Sequence, residues 1–133
     1  MLCLHLPTPP SANHLFANVP GRGRVPSREC VAWKKAAGFA LIAQRPIAVH
    51  GPVEIALVVE ENARRDLSNH LKCVEDLLVT HNVIDGDRCK IVRKITMEWG
   101  EVEGVQIVVK PSSSFGVTYG NSPRTPLSAR VEA

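Results

Sequence analysis

The sequence predicts a single small α+β domain, in which two helices pack on a mixed β-sheet in the order β-α-β-α-β-β. The 133 residues fit one domain of ordinary size, and a hydrophobic fraction of 44% can fill one core. Strand-like alternation and helix-like spacing of apolar residues follow one another along the chain. The periodicity stops after Pro111, where serine, glycine and proline are frequent. We therefore expect a domain over residues 1–110 and a disordered tail over residues 111–133.

The first predicted elements are a short strand, a long loop and a helix. Residues 2–6 alternate between apolar and polar side chains, as in a strand. Glycines and prolines predict a loop over residues 11–26, and a loop of this length in a small domain is usually functional or mobile. Ser27 can cap a helix over residues 28–44. Val31, Phe39 and Ile42 lie near helical spacing, and we expect Phe39 and Trp33 in the core.

The second half of the domain predicts two strands and a helix, followed by a last strand. Residues 49–60 form a strand whose core face carries Val53, Ile55, Leu57 and Val59. Residues 66–80 form a helix with an apolar stripe at Leu67, Leu71, Val74 and Leu78. Its opposite, polar face carries Arg65, Asn69, Lys72 and Asp76. Residues 89–99 form a strand, and after a turn at residues 101–104 we expect residues 105–109 to be its hairpin partner.

Composition narrows the possible function classes only modestly. The formal net charge of +3 and the sequence pI near 8.8 are compatible with nucleic-acid binding, but many enzymes share them. Aromatic residues make up 5% of the chain, so no stacking platform for single strands is evident. The four cysteines have neither C-x-x-C nor zinc-site spacing. With no signal peptide and no apolar run of about 18 residues, we expect reduced thiols in a cytoplasmic protein.

The chemistry-bearing side chains are concentrated in one helix and its two ends. Carboxylate oxygens suit hard cations such as Mg²⁺, whereas arginine and lysine suit phosphates. A segment that carries both is typical of metal-assisted phosphodiester chemistry. Each residue also has a plainer interpretation, as a helix cap, a turn residue or a solvated cation. The carboxylates and cations of this segment are Arg64, Arg65, Asp66, Lys72, Asp85 and Asp87.

Three stretches of this sequence resemble motifs of the RusA family of Holliday-junction resolvases. Residues 66–72 read Asp-Leu-Ser-Asn-His-Leu-Lys, where the family has Asp-Leu-Asp-Asn-x-x-Lys. Residues 83–87 read Val-Ile-Asp-Gly-Asp and resemble the family's apolar residue with a paired acidic turn. Residues 9–13, Pro-Pro-Ser-Ala-Asn, are similar to the family's Pro-Pro-Ser-x-Asn loop. The likeness covers roughly residues 2 to 110.

The resemblance implies a homodimeric endonuclease of bacterial or phage origin that makes paired nicks in four-way DNA junctions during recombination and repair. It implies dependence on Mg²⁺ or Mn²⁺, with Asp66, Lys72 and Asp87 as catalytic residues. The expected metal ligands are Asp66, Asp87 and Asp85. Asp76 also matches a family position, with a structural or supporting role. The residues expected to contact DNA are Arg64, Arg65, Asn69, Asn13, Arg22 and Arg24.

Two departures from the family pattern leave the activity open. Ser68 stands where the family has its second catalytic aspartate, and Gly86 stands where the turn has its first acidic residue. Fewer carboxylates weaken the binding of a hard cation. Ser68 could still ligate weakly, or Asp85, Glu75 or Asp76 could substitute. The alternatives to an active endonuclease are a junction-binding module without nuclease activity and a scaffold protein whose charged helical face is merely solvated.

Overall fold

The fold is a four-stranded mixed sheet with two α-helices and a separate two-stranded hairpin. The computed structural model describes residues 1–11 and 15–112. It confirms the α+β class and the mixed sheet that the sequence predicts. In chain order, its elements are β1 (Leu2–Leu6), β2 (Phe16–Val19), β3 (Gly23–Pro26), α1 (Arg28–Ala43), β4 (Val53–Glu60), a 3₁₀ helix (Leu67–His70), α2 (Leu71–Thr80), β5 (Val92–Gly100) and β6 (Val105–Pro111).

The main sheet has the strand order β1-β6-β4-β5. β4 pairs with β5 in parallel, so α2 is the crossover of a β-α-β unit, and β4 pairs with β6 in antiparallel fashion. The predicted hairpin between the last two strands is therefore wrong, because β5 and β6 lie on opposite sides of β4. β6 instead fills the gap between β4 and β1, where both of its edges are hydrogen-bonded.

The core lies on the face of the sheet that alternate residues of β4 and β6 cover. The four predicted core residues of β4, from Val53 to Val59, are at most 2% exposed, which confirms that alternation. α2 buries Cys73, Val74, Leu77 and Leu78. Leu67 and Leu71 of the predicted stripe are only half-buried at the core's edge. The reason is that residues 67–70 form a 3₁₀ turn, which shifts the phase of the stripe relative to one continuous α-helix.

The orientation of α1 differs from the prediction. Phe39 is 66% exposed, and Val31 and Ile42 are exposed as well, so Phe39 was wrongly expected in the core. The helix is apolar on both sides, so spacing alone does not decide which side is buried. Trp33 is buried as predicted, and its indole N–H donates to the carbonyl of Pro7 at 2.9 Å. The residues that α1 buries are Cys30, Trp33, Ala37, Gly38 and Leu41.

The predicted loop over residues 11–26 is corrected by the structure, which places the β2–β3 hairpin within it. The reversal is closed by a hydrogen bond from the Arg22 amide to the carbonyl of Val19, 3.0 Å long. Gly21 and Gly23 adopt positive φ angles of 79° and 73° there. The strand residues of this hairpin are exposed or half-exposed. Such a ribbon has no core-facing side, so the alternation that identifies a half-buried strand is missing.

Other boundaries differ by a few residues. β4 begins at Val53 rather than residue 49, and β5 begins at Val92 rather than residue 89. Val49 forms only an isolated parallel bridge with Ile84. β6 runs one residue past the predicted domain end, to Pro111. Apart from residues 111 and 112, the predicted tail lies outside the described residues.

Gly104 supports a stability prediction, because it combines a φ of +74° with a close contact. A Cβ atom there would clash with the carbonyl oxygen of Leu6. We expect Gly104→Ala to lower the free energy of unfolding by roughly 2–4 kcal/mol, measured by urea denaturation. The control is Gly21→Ala, where φ is +79° and no atom of the described residues lies within 4 Å of the added Cβ. It should cost only about 1 kcal/mol, and equal losses in the two variants would contradict the steric argument.

Candidate functional site

The candidate site begins where the chain leaves β4 and enters the 3₁₀ helix. Two hydrogen bonds hold this turn. The backbone amide of Arg65 donates to the carbonyl of Asn62, and that of Arg64 donates to Oδ1 of the Asn62 side chain. Asp66 follows at the N-cap position, but its side chain makes no capping hydrogen bond. Its carboxylate is exposed. The plainer interpretation of Asp66 as a helix cap is therefore not what the geometry shows.

Arg65 joins this segment to the N-terminal loop. Its Nη1 donates to the carbonyl of Pro9 at 2.6 Å, across 56 positions of sequence. Pro9, Pro10 and Ser11 are buried at this contact. The same Nη1 lies 3.4 Å from Nε2 of His70. Arg65, which was predicted to contact DNA, is thus half-buried and directs this nitrogen into the protein.

His70 is fully buried, at 0% exposure. Its Nδ1 lies 3.2 Å from the carbonyl oxygen of Leu67, and the Trp99 ring meets it edge-on at 5.5 Å. These contacts fit a neutral imidazole that donates from Nδ1 and accepts at Nε2 from Arg65. Burial lowers the pKa of His70, and the positive charge of Arg65 lowers it further. The hydrogen bond to Leu67 raises this pKa, but burial has the larger effect. Sequence reasoning missed this residue, because nothing local signals that it is buried.

A second group of charged residues comprises Lys72, Glu75 and Asp76 of α2 and Asp87 of the acidic turn. Lys72 and Asp76 form an ion pair of 3.1 Å, and Asp76 is the main reason that the pKa of Lys72 is raised. Burial raises the pKa of Glu75, and the negative charge of Asp87 adds to the increase. Asp87 also acts on Lys72. The charge of Asp87 in the acidic turn thus contributes to the pKa values of two side chains of α2.

Asp85 is engaged elsewhere. Its Oδ2 accepts the Gly51 amide at 2.7 Å, and its Oδ1 lies 2.9 Å from Nδ1 of His50. The Gly51 amide and then His50 lower the pKa of this exposed carboxyl. These bonds hold the acidic turn to the loop before β4. Over residues 1–11 and 15–112, no three His, Cys, Asp or Glu side chains are arranged to hold a metal ion, so the predicted set with Asp66 and Asp87 is not gathered as a group.

The carboxylate oxygens of Asp66 and Asp87 are still suitable ligands for a hard cation that takes few ligands from the protein. Mg²⁺ is commonly bound through one or two carboxylates, with water and substrate phosphate completing its coordination. In the described part of the chain, no hydrogen bond or ion pair engages the carboxylates of Asp66 or Asp87. Ser68 is exposed on the 3₁₀ helix. Among the described residues no set of three such ligands is present, so an ion bound here would have fewer than three protein carboxylates.

The other predicted DNA contacts are spread over two parts of the molecule. Arg64 is exposed near Asp66. Asn69 is half-buried, and its backbone N–H donates a hydrogen bond to the carbonyl of Asp66. Arg22 and Arg24 are exposed on the β2–β3 hairpin. Asn13 lies outside the described residues.

Compared with known proteins, the chain matches no family model and no curated protein. Among the helices described, none is long and apolar enough to cross a membrane. The likeness to the RusA family therefore rests on the sequence motifs themselves.

Proposed function

We propose that this protein is a RusA-like endonuclease that nicks branched DNA, above all four-way junctions. The observation that carries the proposal is the hydrogen bond from Arg65 to the carbonyl of Pro9. It joins two motifs of the resemblance that lie far apart in the sequence, the Pro-Pro-Ser loop and the segment that contains Asp66. The negative charge of Asp87, in the third motif, raises the pKa values of Lys72 and Glu75 on α2, which further supports the proposal.

Each residue then has a distinct task on DNA. Asp66 and Asp87 would hold Mg²⁺ or Mn²⁺, which when bound activates water and stabilises charge on the scissile phosphate. Lys72, kept protonated by Asp76, stabilises negative charge as the phosphodiester bond breaks. Arg64 contacts the DNA backbone, and Arg65 positions Asp66 by holding its segment to Pro9. A two-fold symmetric homodimer would present two such sites for paired nicks.

The test is a nicking assay on a synthetic four-way junction, labelled in turn on each strand, beside a linear duplex of the same sequence. Reactions contain Mg²⁺, Mn²⁺ or EDTA. We expect paired, symmetric nicks in the junction and none in the duplex or in EDTA. Equal cleavage of the duplex would contradict the proposal, as would cleavage in EDTA.

A second candidate function is junction binding without cleavage. Two observations favour it, namely Ser68 in place of an aspartate and the lack of a three-residue metal group in the described chain. This candidate predicts salt-sensitive binding to junctions and no nicks at any metal concentration.

Ser68→Asp distinguishes the two candidates. An added carboxylate should tighten metal binding and raise metal-dependent nicking by about tenfold, the scale of single contacts at metal sites. Ser68→Asn is the matched control, since it adds similar bulk without charge. Nicking by Ser68→Asp alone would establish the binding module, whereas nicking by the unsubstituted protein would exclude it. If no variant prefers junctions over duplex, both candidates fail.

A further inference from the structure

We propose that the β2–β3 hairpin contacts the branch point of the DNA, where the ring of Phe16 stacks on an unstacked base and Arg22 and Arg24 contact neighbouring phosphates. This inference rests on the proposed function and extends it from the cleavage site to the selection of branched DNA. It also adds an aromatic contact that the low aromatic content of the sequence did not suggest.

The hairpin extends from the core rather than packing onto it. Within residues 1–11 and 15–112, its strands pair only with each other and form a sheet separate from the main one. Its base is anchored by Leu15, which is 7% exposed and whose carbonyl accepts the Ser27 amide at 2.9 Å. Beyond that base, the strand residues are exposed or half-exposed. A two-stranded ribbon with this anchoring can enter a groove or an opening in DNA.

One face of the hairpin carries side chains that suit a nucleobase. Phe16 pairs with Pro26 and Asn18 pairs with Arg24, so strand alternation places Phe16, Asn18 and Arg24 on the same face. The guanidinium of Arg24 lies 4.4 Å from the centroid of the Phe16 ring, a cation–π contact. Phe16 nevertheless stays 48% exposed. An exposed ring held in place by arginine is the kind of surface on which unpaired bases stack.

The charge around the hairpin favours DNA as its partner. Arg22 lies in the tight turn between Gly21 and Gly23 and is exposed. Residues 15–26, which form the hairpin and its base, contain two arginines and no acidic residue. A projecting segment with only positive charge attracts phosphates.

The geometry of a branch point explains why stacking gives selectivity. Inserting an apolar side chain into a continuous duplex requires that base pairs unstack, which is unfavourable. At a branch point the stack is already interrupted, so the same insertion meets less resistance. Phe16 should therefore strengthen binding to junctions more than binding to linear duplex.

The experiment measures binding of the full chain in EDTA to a four-way junction with 2-aminopurine at the branch point, beside a linear duplex. Phe16→Ala should lower junction affinity about tenfold, the scale of one stacked base, and should abolish the 2-aminopurine signal. Its affinity for the duplex should be unchanged. Phe16→Trp should keep both affinity and signal. Phe39→Ala is the matched control, since Phe39 is more exposed and lies on α1.

Phe16→Leu keeps apolar bulk without an aromatic ring, so it should lose junction affinity as Phe16→Ala does. Circular dichroism checks that each variant is folded. Full junction affinity in either of these two variants would overturn the inference and leave the nicking activity standing. Equal losses on junction and duplex would overturn the branch-point assignment. An unsubstituted protein without preference for junctions would overturn the proposed function, and this inference with it.

Discussion

Asp66→Asn should reduce metal-dependent nicking of a four-way junction by roughly a thousandfold, the scale of losing a central catalytic carboxylate. The Asp66 side chain is exposed and makes no capping hydrogen bond, so its replacement removes a proposed metal ligand but no contact that stabilises the fold. The free energy of unfolding should change by less than about 0.5 kcal/mol. Junction affinity should be kept or slightly increased, because one negative charge near the phosphates is removed.

The measurement pairs single-turnover nicking with a gel-shift assay on the same junction. Glu61→Gln is the control, since it removes an exposed carboxylate from the same connecting segment five residues earlier. It should leave nicking close to that of the unsubstituted protein. Undiminished nicking by Asp66→Asn would remove this residue from the active site and leave the resemblance without its central functional residue.

The domain should become less stable as the pH falls below about 6.5, the ordinary value for histidine, because of His70. Burial and Arg65 hold the pKa of His70 below that value in the folded state. At a pH between the folded and unfolded pKa values, the unfolded chain binds one proton more, so acid favours unfolding. The loss can reach about 1.4 kcal/mol per pH unit in that window. It is absent above pH 6.5, where His70 is neutral in both states.

Urea denaturation between pH 7.5 and pH 5.5 measures this effect in the unsubstituted protein and in His70→Gln, where an amide replaces the titrating ring. The variant should be less stable at pH 7.5 by roughly 1–3 kcal/mol, but its stability should depend less on pH. Glu75 acts in the opposite direction, since its raised pKa makes acid favour the folded state, but it does so in both proteins, so the difference between their slopes reports His70. His50→Gln, at a side chain 78% exposed, is the control and should keep the acid-dependent loss. Identical slopes for the unsubstituted protein and His70→Gln would contradict the role of His70.

The parts of the fold that the sequence predicts correctly are those with one buried side. β4 alternates because one face is covered, and its core residues are identified without error. α1 is apolar on both sides, so the exposed Phe39 cannot be told from the buried Trp33 by spacing. The pairing of β5 and β6 fails for another reason. It depends on which strand fills the gap between β4 and β1, and local patterns do not contain that information.

In the candidate site too, some features follow from local sequence and others depend on distant residues. Its motif residues, Asp66, Lys72 and Asp87, can be located from spacing. The bonding of Asp85 depends on His50 and Gly51, which lie 34 or more positions away. The burial of His70 likewise depends on distant groups, because the ring is enclosed by contacts that include Trp99 at the end of β5.

The late position of β6 in the chain has a consequence for synthesis on the ribosome. Leu2 pairs with Val109, more than a hundred positions away, and the strand that joins β1 to the rest of the sheet is the last one translated among the described elements. A nascent chain that has emerged only through β5 must present open edges on β1 and β4. Such edges are templates for aggregation, and folding that waits for distant pairings is slow. Until residue 111 has left the exit tunnel, the growing polypeptide therefore exposes edges that can pair with other chains.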